Sequence, residues 1–327
     1  MGDIPVYLRA RELLTPDQRK DFLTIPSTLS KWELSYYYTL TQDDIEIIKR
    51  RRRDHNRLGY AIQICLFRYP GWSLSDIKNI LDKVLTYVAK QLQVDASEFK
   101  LYSEREQTKH EHMEEIRNHY GFSNFSAKSY RIISQALLPH AIENGNALFL
   151  IRMTLDEMRK RKIILPAITT IERLVWETRR RAEEKVYNSL YKPLSQWQKQ
   201  QLEKLIITTA DRSKTKLGWL REIPGQSSPD AFLKVIEKLD HIRLLNLSTR
   251  IEHIHSNRLL QLARLGIRYE PHSFRRFKEN KRYAILVAHL LTLSQDLIDQ
   301  AIEIHDRQIM ILQSKGRKAQ EELQKQN

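Results

Sequence analysis

The stretch Thr41–Trp72, TQDDIEIIKRRRRDHNRLGYAIQICLFRYPGW, constrains this chain most. Thr41 with Asp44 three residues on has the form of a capping box, and Asp43, Asp44 and Glu46 put negative charge in the first turn, where the helix dipole favours it. Ile45 and Ile48 share one helical face. Lys49 and the run Arg50, Arg51, Arg52, Arg53 follow. Four consecutive helical positions spread around most of a turn, so at least two of these arginines must point outward. His55, Asn56 and Arg57 stand at a break. Leu58, Ala61, Ile62, Cys65 and Leu66 then recur at helical spacing until Pro70 and Gly71 end the pattern. Helix, basic turn and helix form a compact device for presenting guanidinium groups, which suit phosphates by charge and guanine edges by their bidentate fork. A solvated charged face is the plainer reading of the same cluster.

Composition sharpens that choice. The 327 residues hold 55 Lys and Arg against 40 Asp and Glu, a net charge of +15. Such an excess points to a polyanion, nucleic acid before an anionic membrane. No apolar run approaches the roughly 18 residues of a spanning helix. The longest, Ala284–Leu291, fits a buried helix. The N-terminal MGDIPVYLRAREL lacks the apolar core of a secretion signal, and Gly2 is not followed by a myristoylation pattern. The one cysteine, Cys65, excludes an internal disulfide and a cysteine zinc site, and lies on an apolar face. Only nine glycines and ten prolines, with no strand-like alternation, predict an all-α fold of long helices. We expect two or three consecutive helical units of helix-turn-helix type.

The string RRRRDHNRLGYAIQICLFRYPGW closely resembles a signature near the N-terminus of Tn-three family transposases, carried by Arg51, Arg52, Asn56, Arg57, Leu58, Gly59, Ala61, Gln63, Cys65, Arg68, Tyr69, Pro70 and Gly71. Further blocks are similar: HEHMEEIRNHYGF; RKRKIILPAITTIERLVWETRRRAEEKVYNSL, with Ala167 where the family commonly has glycine; and Tyr283–Met310. Together the likeness runs from about residue 12 to residue 312.

Read in order, Thr15, Pro16 and Gln18 begin a helix, and the residues before Thr15 are expected to dangle. Ser30 with Glu33 begins a second helix, on which Trp32 and three tyrosines are expected to pack under the Thr41 helix, base stacking being the other use. Ser73 and Ser75 are expected to cap a helix bearing Ile77, Ile80, Leu81, Val84, Leu85 and Val88. Phe99, Leu101 and Tyr102 lead into a charged helix from about Ser103 to Tyr120, ended by Gly121. His110 and His112 lack the i, i+4 spacing of a helical zinc pair. A helix from Ser126 should stop at Pro139, and another starts at Asn146. It runs into the basic cluster Arg159, Lys160, Arg161, Lys162. A long helix from Ile168 carries Arg179, Arg180 and Arg181, which either meet phosphate or balance Glu177, Glu183 and Glu184. Ser195 and Gln198 begin a third part. Gly218, Trp219, Pro224 and Gly225 mark a turn-rich passage, and Ser228 with Pro229 restarts a helix. His253 and His255 look like surface residues, His305–Asp306 is too short a match for a phosphohydrolase site, and the polar C-terminal tail should fray. The expected units are residues 1–94 and 95–192, both DNA-binding, and 193–327, a dimerisation or linker part.

The resemblance implies a bacterial, cytoplasmic, nucleoid-associated protein that acts in transposition. The matched part of the family recognises terminal inverted repeats in double-stranded DNA. The family's acidic catalytic triad lies in a domain C-terminal to everything matched here, so no catalytic residue, metal or cofactor is expected and the chain is not an enzyme by itself. The DNA-contact candidates are Arg50–Arg53, Asn56, Arg57, Arg68, Arg159–Lys162, Arg179 and Arg180. The partners implied are the terminal repeats and a second copy or a full-length transposase, not a membrane. A regulatory module that binds full-length transposase and inhibits it is the competing reading.

Overall fold

Reciprocal capping boxes at Thr15, Ser30, Thr41 and Ser195 start four helices where the side-chain spacing places them, each hydroxyl accepting from the third helical N–H while that residue's side chain accepts from the cap N–H. In a computed structural model, which describes residues 12–25, 28–77, 80–208, 214–222, 228–248 and 254–326, the chain is all-α. The helices are α1 (Pro16–Leu23), α2 (Lys31–Tyr38), α3 (Gln42–Lys49), α4 (Asp54–Arg68), α5 (Asp82–Leu92), α6 (Phe99–Ser103), α7 (Glu106–Tyr120), α8 (Ala127–Glu143), α9 (Ala147–Lys160), α10 (Ile168–Tyr191), α11 (Gln196–Ile206), α12 (Lys216–Arg221), α13 (Pro229–Leu244), α14 (Ser256–Arg268) and α15 (Glu279–Gln326). Among the described residues no strand forms, and one isolated bridge joins Ser123 to Ile163.

Two compact units result: residues up to Ala141 with Gly145–Arg180, and Ile142–Asn144 with Arg181 onward. The first is built around α4. Every residue from Leu58 to Phe67 is buried, with α2, α3, α5, α6 and α7 packed on it. Gly59 makes this possible, because a Cβ there would lie 2.2 Å from the Tyr102 ring of α6. The helices on either side of residue 94 therefore share one core. In the second unit α13 and α14 pack on α15, whose Tyr283–Leu290 segment is buried. Gly266 of α14 abuts His289, a Cβ there coming within 2.4 Å of it. By length and composition α15 could cross a membrane, but its apolar first part belongs to this core.

Several expectations are corrected. The arginine run is not helical: α3 stops at Lys49, and Arg53 has φ 68°. His55, Asn56 and Arg57 lie inside the first turn of α4. Ser73, Ser75 and Asp76 close a turn on themselves, and α5 starts only at Asp82. The charged helix α7 forms as expected but starts at Glu106, and the preceding Phe99–Ser103 is a short helix of its own, α6. α8 runs through Pro139, at an exposed position, although proline gives up one helical backbone bond there. Leu13 and Leu14 do not dangle, since both N–H groups donate at 2.9 Å to the buried Glu172 carboxylate, which Arg19 also grips. Gly218 and Trp219 sit within α12, and the tail continues as helix to Gln326. Tyr38 packs as expected, but Trp32 and Tyr36 are exposed. Residues 1–11, Pro224, Gly225 and His253 lie outside the described residues; His255 is exposed and caps α14.

Candidate nucleic-acid interface

The turn between α3 and α4 breaks the ordinary rules of helix starts. Arg53 is the N-cap of α4, yet no side chain caps that helix. Its positive φ is one that bulky residues avoid, at a cost of order 1–3 kcal/mol. Cations at a helix N-terminus also oppose the dipole, and only Asp54 in the first turn offsets them. The turn is held from within. Asn56 Nδ2 donates to the Arg52 carbonyl at 3.1 Å, and Arg57 Nε donates to the Arg51 carbonyl at 3.0 Å while its other end meets Asp54 at 3.1 Å. Arg51 turns inward, pairing with Glu115 of α7 and lying 4.6 Å over the Tyr60 ring. Arg50, Arg52 and Arg53 remain exposed.

The second cluster is likewise a turn. α9 ends at Lys160, and Lys162 has φ 52°. Arg159 points back, its Nε donating at 2.7 Å to the carbonyl of Pro70, which follows a cis peptide bond, and another nitrogen meeting Asp156 at 2.8 Å. The Gly71 carbonyl accepts from Leu165 at 3.1 Å, so the RYPG and RKRKIILP blocks are joined. Arg161 pairs with Glu157. Lys162 Nζ donates at 3.0 Å to the Tyr120 carbonyl, a free acceptor at the end of α7. Lys160, Arg161 and Lys162 are exposed.

α7 thus anchors both turns. Arg51 reaches Glu115 and Lys162 reaches Tyr120, five residues apart and so about 7.5 Å along the helix. The same end of α7 fixes Arg68. Two Arg68 nitrogens bind Asp44 at 2.8 and 2.7 Å, and the Tyr120 hydroxyl donates to Asp44 at 2.7 Å. Burial would raise the Asp44 pKa, but Arg68, Tyr120 and the Thr41 N–H outweigh it and hold the carboxyl at about 2. Beside this lies buried His112, accepting or donating at 3.0 Å with the Tyr102 hydroxyl. Burial, then the charge of Arg51, depress its pKa to about 4.

The candidates therefore divide. Arg50, Arg52, Arg53, Lys160, Arg161 and Lys162 stand at two exposed turns on one helix. Asn56, Arg57 and Arg159 brace those turns, whereas Arg68 ties α4 to Asp44 of α3. Arg179 and Arg180 belong elsewhere, on the part of α10 where Thr178 meets Ser134 of α8 at 3.1 Å; Arg180 lies 5.5 Å over Trp176. Sequence reasoning passed over Asp44 as a site residue, although its capping role was plain, and gave no role to Glu115, Tyr120 or Glu172. A buried acid among so many arginines was the available signal.

The first unit is thus all-α and carries two cation-rich turns, each with a positive-φ residue. The comparisons with known proteins give the lineage. Residues 13–178 match the family described as a domain of unknown function, DUF4158, and the chain belongs to that family. It is 52% identical over 98% of its length to the transposase for transposon Tn1546 of Enterococcus faecium, and 35% identical over 97% to the transposase for transposon Tn501 of Pseudomonas aeruginosa. A transposase for transposon Tn21 of Escherichia coli is 34% identical over 91% of the chain. These relatives are Tn-three family transposases, and the chain corresponds to their N-terminal region. It spans about a third of their length, 32%, 32% and 30% respectively.

Proposed function

We propose that this chain is the part of a Tn-three family transposase that binds double-stranded DNA at the terminal inverted repeats, without catalytic activity of its own, in the bacterial cytoplasm on the nucleoid. The observation that carries this is the arginine turn. An uncapped helix start with a positive-φ arginine and adjacent like charges reduces stability, and such local conflicts are expected where function requires them. Phosphate would relieve the repulsion. Because α4 is buried from Leu58 to Phe67, contact falls to the turns and not to insertion of that helix. Arg50, Arg52 and Arg53, with Lys160–Lys162, carry phosphate or base-edge contacts, and Asn56, Arg57, Arg68 and Arg159 support them. Residues 1–94 and 95–192 supply this surface, and 193–327 the linker or association part. The test is titration onto duplex of the element's terminal repeat against scrambled duplex at several salt concentrations. A specificity ratio of roughly a thousandfold with a steep salt slope is the expected result. Equal weak binding to both duplexes overturns end recognition.

A second reading, association with another transposase copy, is favoured by one feature. Ile309, Met310, Ile311 and Leu312 are exposed in succession around α15, and a helix apolar on every side belongs in an interior. Sedimentation showing a strict monomer, alone and mixed with full-length transposase, removes it.

A further inference from the structure

Large aromatic side chains usually lie in cores, yet Trp32 is 66% and Tyr36 67% exposed, on the face of α2 opposite buried Leu34 and Tyr38. The two rings stack on each other, centroids 4.9 Å apart and planes at 14°. Trp32 lies in the first turn of α2 and is two-thirds exposed despite the stack. The series continues inward: Tyr36 meets Tyr37 edge-on, Tyr37 stacks on Tyr69 at 3.9 Å, and Arg159 lies 5.2 Å over Tyr69. The exposed stack is therefore continuous, ring by ring, with the brace of the second basic turn. Its flank carries two lysines and one carboxylate. Lys31 is exposed beside Trp32, and Lys83 reaches the Leu29 carbonyl at the same end of the helix. The nearby acid, Glu33, is held by its bonds to Ser30.

We infer that Trp32 and Tyr36 form a stacking platform for unpaired bases of single-stranded DNA, with Lys31 and Lys83 beside the phosphates. Any base offers a π face, so such a platform is sequence-tolerant, unlike duplex recognition at the arginine turn. The inference rests on the proposed DNA-binding reading and extends it to a second form of the polymer at a second surface.

The test uses the full 327-residue chain. Oligothymidylate is titrated against tryptophan fluorescence, and a duplex of equal length is titrated in parallel by anisotropy. Stacking quenches the fluorescence, and Trp32→Phe removes most of that quench while exposed Trp197 remains as an internal control. Trp32→Ala with Tyr36→Ala weakens single-strand binding roughly tenfold and leaves duplex affinity within about twofold. Arg50→Ala with Arg52→Ala does the reverse. Unchanged single-strand affinity in the aromatic double variant, or no quenching in the parent, overturns the inference. Loss of repeat specificity with the quench intact overturns the end-recognition reading alone.

Discussion

Arg68 on α4 grips Asp44 on α3 with two nitrogens at 2.8 and 2.7 Å, and the Asp44 side chain is wholly buried. Breaking such a pair from one side strands a buried charge. Arg68→Ala is expected to cost about 3–5 kcal/mol of stability, measured by denaturant unfolding. Any of this protein that remains folded should keep the parent salt slope for duplex binding. A changed slope would make Arg68 a phosphate contact after all.

The opposite signature is expected at the other end of α4. Arg50→Ala, Arg52→Ala and Arg53→Ala should each lower the salt slope by roughly one, with melting unchanged or, at the strained Arg53, little altered. Arg51→Ala mixes the two effects, because Arg51 also pairs with Glu115 and covers Tyr60. Affinity and slope measured across salt concentrations decide the matter.

Gly59→Ala drives a methyl group into the Tyr102 ring. Overpacking should cost about 1–3 kcal/mol and separate α6 from α4, seen as a lower unfolding midpoint. A midpoint at or above the parent value would show that the contact relaxes freely.

Acid should weaken the first unit in two stages. His112, depressed from 6.5 to about 4, contributes stability that is full above pH 6.5 and is lost as pH falls toward 4. Asp44, depressed from 3.8 to about 2, contributes stability present above pH 3.8 and lost toward pH 2. His112→Gln should flatten the upper stage only, as read from denaturant midpoints across pH.

Met310→Asp with Leu312→Asp is expected to raise the solubility of the chain and abolish whatever self-association the parent shows by sedimentation, without moving the melting temperature, because both side chains are exposed. Unaltered association would place the contact elsewhere.

Much of the fold is legible in the chain. Hydroxyl–acid and hydroxyl–amide spacings fix the starts of α1, α2, α3 and α11, because capping is a local transaction among four residues. Helical class, the burial of Cys65 and of Ala284–Leu290, and the basic character of two clusters follow from periodicity and charge. The fate of each cation does not. Arg50 and Arg51 are neighbours of identical chemistry, but one is exposed and the other meets Glu115, 64 residues on. Arg159 and Lys160 divide in the same way, around the carbonyl of Pro70. Trp32 and Tyr38 share one helix and differ completely in burial. Local propensity determines where helices begin and which residues are charged. Only tertiary packing decides which charges and rings acquire partners, since a partner distant in the chain leaves no periodic trace near the residue it neutralises.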